Sequence, residues 1–199
     1  MSETRLIQLA ALAGIIGPLV FAILVTGLTF VEADFMRSIG WNPFGNVLDW
    51  PSGLAMGPYG WLMTINFFLS GALMAFFAYG LKLALQEKFA TTLLMLAGFA
   101  MMGLIFTTDP TIRSYPKTWH GTLHDSFFAV LGVTLMLGMF LLGWVFQQHE
   151  HWKNLSLYTW GTLALVVPTF WLKGLAFYVF LVAILIWGEV VAFRLRSIP

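Results

Sequence analysis

Six ionisable side chains crowd one short stretch of an otherwise oily chain. Residues 107–125 read TTDPTIRSYPKTWHGTLHD and hold Asp109, Arg113, Lys117, His120, His124 and Asp125. An apolar run follows Asp125, so a helix is expected to begin here. On a helix, positions i and i+4 share a face, which places His120 and His124 side by side. Two imidazoles on one face suit a metal or an acid–base pair. Zinc takes His nitrogen and Asp oxygen in a tetrahedral set, keeps one position for water, and lowers the pKa of that water toward about 7. His120 and His124 are then two ligands, and Asp109, at the end of the preceding apolar run, is the third. Asp49 or Asp125 serves as base or orients an imidazole. This is the outline of a zinc-dependent hydrolase acting on a lipid or amphiphile.

The same residues support a reading without catalysis. Asp109 caps a turn fixed by Pro110, and His124 and Asp125 sit in the first turn of a helix, where a carboxylate favours the dipole. His120 then bonds to a loop carbonyl. Geometry separates the two readings: metal requires both imidazoles within about 4 Å of one point with Asp109 beside them, since zinc–ligand bonds are about 2 Å.

The elements that must position these groups follow from composition. The chain has 199 residues, 59% hydrophobic and 10% charged, with mean hydropathy +0.84. Soluble domains carry about 25% charged residues. Runs of about 20 apolar residues cross a bilayer, and the runs here imply spans at about 6–31, 59–84, 89–106, 121–146, 155–172 and 174–193. The expected fold is all-α: one integral membrane domain over 1–199, a six-transmembrane-helix bundle with a long first extracytoplasmic loop. Net charge of +1 offers no field for nucleic acid. With no cysteine, disulfides, thiolate metal sites and cysteine nucleophiles are all excluded.

The first run is too long for the core of a cleaved signal and reads as a retained span carrying Pro18. The loop 32–58 holds Asn42-Pro43 and Trp50-Pro51 turn signals, and Trp41, Phe44, Trp50, Tyr59 and Trp61 suit the headgroup level. It reads either as a lid folded back on the bundle or as a plain connection. Asn66 and Ser70 are expected to bond to neighbouring helices. His149 and His151 flank Glu150 in a solvated turn and share no helical face. Glu189, near the end of the last span, is expected to meet a cation or the interface.

Six spans put both termini on one side with Arg5, Lys82, Lys88, Lys153, Arg194 and Arg196, against Arg37, Arg113, Lys117 and Lys173 on the other. The bias places both termini in the cytoplasm. The first loop, the loop 107–125 and the Lys173 turn then converge on one extracytoplasmic mouth. Transport is a third reading, and the weakest: Asn66, Ser70, Thr134 and Pro168 lie mid-span without an acidic proton relay. Haem is disfavoured too, because two histidines on one face do not bracket a porphyrin. Membrane lipids are the expected partners, and a protein partner or second copy is left open.

Two stretches carry a family pattern. One is 49–85, DWPSGLAMGPYGWLMTINFFLSGALMAFFAYGLKLAL, with a Gly-Pro turn, Gly-Trp, Asn-Phe and Gly-Leu-basic in order. The other places Thr-Asp-Pro after the third span and His-Gly-x-x-His before the fourth. Together they resemble the bacterial and archaeal membrane family known as domain of unknown function 998. The resemblance covers most of the chain and implies a six-span protein of a bacterial or archaeal cell membrane. The matching positions are Ser52, Gly60, Trp61, Asp109, His120, Gly121 and His124. The family pattern assigns none of them a catalytic role. On chemistry alone, Ser52 joins Asp49 and Asp125 as a catalytic candidate beside the zinc set.

Overall fold

The computed structural model describes residues 2–40, 50–109, 116–170, 172 and 175–198. Every regular element among them is helical: α1 Glu3–Val31, α2 Ala33–Ser38, α3 Gly60–Leu85, α4 Phe89–Gly103, α5 Trp119–Gln148, α6 Asn154–Phe170 and α7 Leu175–Arg196, with a 3-10 turn Pro51–Met56 before α3. Four of these, α1, α3, α5 and α7, are long and apolar enough to cross a membrane. The shorter α4 and α6 have 15 and 17 residues.

These helices are apolar all round, the signature of an element with no water-facing side. Ile23, Leu157, Val182 and Phe193 stand more than half exposed on the outside of the bundle. That outward oil has a natural solvent in lipid tails, and the chain is a membrane-embedded protein.

Local chemistry sets the helix ends. Ser2 caps α1 by accepting from the Arg5 N–H at 3.4 Å. Gln86 turns the chain after α3 in the left-handed region, φ 51°. Glu87 then accepts from Phe89 and Thr91 N–H at 2.7 and 3.2 Å, a carboxylate at the positive end of α4. α4 stops at Gly103, short of the end of its apolar run. Leu104, Ile105 and Phe106 donate to Met101, Met102 and Gly103, three residues back, which tightens the last turn and ends the helix.

The six long helices form a closed ring, each packed on its neighbours in the order α1, α3, α4, α5, α6, α7 and back to α1. Lipid tails are as apolar as leucine, so packing and internal hydrogen bonds must hold such a ring together. Asn66 donates to the Phe21 carbonyl at 3.3 Å and accepts from Ser70 at 3.1 Å, tying α3 to α1. Ser156 bonds to the Gly143 carbonyl at 2.8 Å across α5 and α6, and Trp187 to Thr159 at 3.1 Å across α6 and α7. Gln8 closes α1 on the C-terminal end through the Ile198 carbonyl at 2.9 Å. Glu189 takes no part in such ties. One of its carboxyl oxygens is buried without a hydrogen-bond partner, and it makes no ion pair among the described residues.

α3 and α4 meet backbone to backbone at one pair of glycines. A Cβ on Gly71 would lie 2.6 Å from the Gly98 carbonyl, and one on Gly98 would lie 2.6 Å from the Ala75 nitrogen. Backbone faces backbone there, so a side chain has nowhere to move. Gly98→Val is expected to force the two helices apart and cost about 1–3 kcal/mol or more. Thermal unfolding in detergent should show a lower midpoint than wild type; an unchanged midpoint would mean the contact is not tight.

Candidate functional site

Residues from both family-pattern stretches gather around one end of the ring, where α1 and α4 finish and α3 and α5 begin. The chain leaving α4 lies back over the first two turns of α5. His124 Nδ1 bonds to the Phe106 carbonyl at 2.7 Å, and His120 Nδ1 bonds to the next carbonyl, Thr107, at 2.8 Å. A carbonyl only accepts, so both rings carry their proton on Nδ1. The i, i+4 spacing that suggests a ligand pair thus serves to grip two successive peptide groups.

Asp109 completes the clasp. Its carboxylate accepts from the Thr118 N–H at 3.3 Å and from the Thr118 hydroxyl. Thr118 Oγ1 in turn accepts from the Gly121 N–H at 3.1 Å and caps α5. Gly121 has a steric reason to be glycine: a Cβ there would run into the Asp109 carboxylate. The Thr-Asp-Pro and His-Gly-x-x-His motifs are therefore two halves of one joint.

Among the described residues, no group of three His, Cys, Asp or Glu side chains is placed to hold a metal ion. Asp109 spends its oxygens on Thr118, and the two histidines spend Nδ1 on backbone carbonyls. Asp125 forms an exposed ion pair with Lys117. Asp49 lies outside the described residues, as do Trp41, Asn42, Pro43, Phe44, Pro110, Arg113 and Lys173. His149 bonds to the Val145 carbonyl at 2.9 Å and His151 to Ser197 at 3.2 Å, both away from this joint.

A second joint, missed in the sequence, is built on Glu32. This carboxyl is 1% exposed. One oxygen accepts from the Tyr59 N–H at 2.6 Å. Tyr59 is the N-cap of α3 and makes no side-chain cap of its own, so Glu32 caps α3 from the end of α1. The other oxygen lies against Gly57, where a Cβ would collide with it, and has no hydrogen-bond partner. Gly60, another motif position, is pressed on the Ala55 backbone, which lets the 3-10 turn sit down on α3. The only sequence signal for Glu32 was an acid immediately after the first apolar run.

Between the joints lies a cavity of about 150 Å³ inside the ring. Its walls are overwhelmingly apolar, with Phe21, Phe67, Phe77, Phe128, Phe177 and Phe180 among them. Its polar lining residues are Ser52, Ser70, His124 and Asp125. The structure thus brings Ser52, His124 and Asp125 to one chamber.

The apolar helices, the closed ring and the polar joints define a helical membrane protein with an internal chamber. The chain belongs to the family described as Protein of unknown function (DUF998), whose model matches residues 15–195. No curated protein and no solved structure matches the chain.

Two outcomes test the joints. Thr118→Ala is expected to cost about 1–2 kcal/mol, the worth of a lost helix cap with a buried acceptor left behind, read as a lower unfolding midpoint. Glu32 gives a pH dependence. Burial raises its carboxyl above the ordinary value of 4.5, and the Tyr59 N–H offsets part of that rise. The folded chain then holds this proton more tightly than the unfolded chain. The stabilisation is complete below about 4.5 and is lost as pH rises through the elevated folded value. Wild type should lose more thermal stability between pH 5 and pH 8 than Glu32→Gln; equal losses would remove Glu32 as the cause.

Proposed function

We propose that this protein holds the chain of a single-chain membrane amphiphile within its helical ring, the polar head meeting Ser52, His124 and Asp125. The observation that carries this reading is the chamber: apolar walls contributed by five helices, with four polar residues in the lining. Concave, mostly apolar pockets with few polar groups are the usual form of a small-ligand site. A tail gains little by leaving lipid for an equally apolar cavity, so selection must come from the polar groups. The one carboxylate in the described lining, Asp125, already has the Lys117 ammonium as its partner, so the polar lining suits an uncharged hydroxyl head.

The remaining features of the proposal follow from charge and length. All six long helices cross the membrane, α4 and α6 as short spans within the ring. The basic residues put both termini in the cytoplasm. The clasp of α4 on α5, the Glu32 joint and the segment between α1 and α3 then face the outside of a cell membrane.

A second reading, hydrolysis of the bound amphiphile, is supported by one observation. The Phe106 carbonyl holds His124 as the Nδ1–H tautomer, which makes Nε2 the basic nitrogen. A base of that kind in a chamber shared with Ser52 is the pairing that activates a hydroxyl nucleophile. Ester hydrolysis lost in Ser52→Ala, with chain binding retained, would establish it.

Chain binding is tested with a diazirine-labelled long-chain alcohol on protein in nanodiscs. Crosslinks are expected on chamber-lining peptides, and Met74→Trp with Leu131→Trp, which fill the space, should cut labelling at least about tenfold. Equal labelling of the filled variant would reject the chamber as the site.

A further inference from the structure

We infer that the segment Trp50–Met56 is the gate of this chamber, with Trp50 as the wedge that closes it and Glu32 as the residue that positions its other end. The inference rests on the chamber being a ligand site, and the gate itself is testable without any ligand.

The ring has one place where two lining helices are only weak partners. α5 and α7 both contribute wall residues, but each packs chiefly on α6 and the two meet only weakly. Rings fill this seam. Phe128 of α5 stacks on Phe170 of α6 at 4.6 Å between centroids, and Phe177 of α7 lies 5.9 Å from Phe128. Trp50 adds a further ring from outside the ring of helices, 5.3 Å from Phe128 and 6.0 Å from Phe177. It also lines the cavity, together with Pro51 and Ser52. A side chain of the connecting segment therefore forms part of the chamber wall where helix contact is sparse.

The other end of the segment is fastened to α1 and α3. Leu54 is 2% exposed and packs in a cluster with Phe21, Val25, Leu28, Met36 and Met63. Gly57 and Tyr59 rest on the Glu32 carboxyl. The segment is thus a strap laid across the chamber end, from an α1–α3 anchor to an α5–α7 wedge. A hydrogen bond and a buried leucine hold the anchor, and two of the aromatic rings that fill the seam seat Trp50.

The chain contains no cysteine, which makes a clean reporter available. Ser70 is 4% exposed and lines the chamber, so Ser70→Cys reports entry of a small uncharged thiol reagent such as N-ethylmaleimide, with protein in nanodiscs. Adding Trp50→Ala should raise the modification rate at least about tenfold, and Glu32→Ala should also raise it. Glu32→Gln keeps an acceptor for the Tyr59 N–H and should stay near the parent rate, which loss of stability alone would not produce. An unchanged rate in Trp50→Ala overturns the gate, and this variant decides the matter even if Glu32→Ala fails to fold. A Glu32→Gln rate as fast as that of Glu32→Ala overturns the positioning role. If the rates move as expected while the labelled alcohol never crosslinks, the gate stands and the ligand reading falls.

Discussion

Helix ends leave backbone N–H and C=O groups without intrahelical partners, and in a membrane each unpaired group costs several kcal/mol. One end of this bundle is organised around that constraint. The carbonyls of Phe106 and Thr107 beyond α4 are taken by His124 and His120. The first turn of α5 is taken by Thr118 and Asp109, and that of α3 by Glu32. The most conspicuous polar side chains of an oily chain are thus largely spent on satisfying peptide groups. In doing so they fix the geometry at one end of an apolar chamber.

This assignment changes what the motifs mean. Two histidines four apart with an aspartate upstream are the outline of a zinc site, and nothing in the spacing itself argues otherwise. The deciding quantity is what each imidazole faces. A nitrogen 2.7 or 2.8 Å from a carbonyl oxygen is a donor, which leaves only Nε2 of each ring for a metal, and no three-residue set is placed to hold one among the described residues. Gly121, between the histidines, is explained by the Asp109 carboxylate lying where its side chain would be. The chemistry left to the site lies in the chamber, where Ser52, His124 and Asp125 meet apolar walls.

The helices were legible because apolar length is a one-dimensional property, visible in any window along 3–31 or 119–148. The pairing of Asn66 with Ser70 was legible for the same reason, being set by helical periodicity. The end of α4 was less so: its apolar run continues past Gly103, and only the tightened turn stops it. Glu32 was not legible at all. Its partner, Tyr59, is 27 residues away, and its second oxygen lies against Gly57, far along the chain as well. The Trp50 wedge likewise depends on which helices are left only weakly in contact, a property of the closed ring that no single stretch encodes.

The account turns on the two imidazoles donating from Nδ1 to the backbone, and nitrogen-15 NMR of histidine-labelled protein measures that directly. His120→Gln and His124→Gln assign the signals. The account predicts the Nδ1–H tautomer for both rings, unchanged when zinc is added. Nε2–H tautomers would contradict the clasp, whereas nitrogen shifts showing zinc bound through Nε2 at both rings would contradict the assignment of these residues to the backbone alone and restore the metal site beside the clasp.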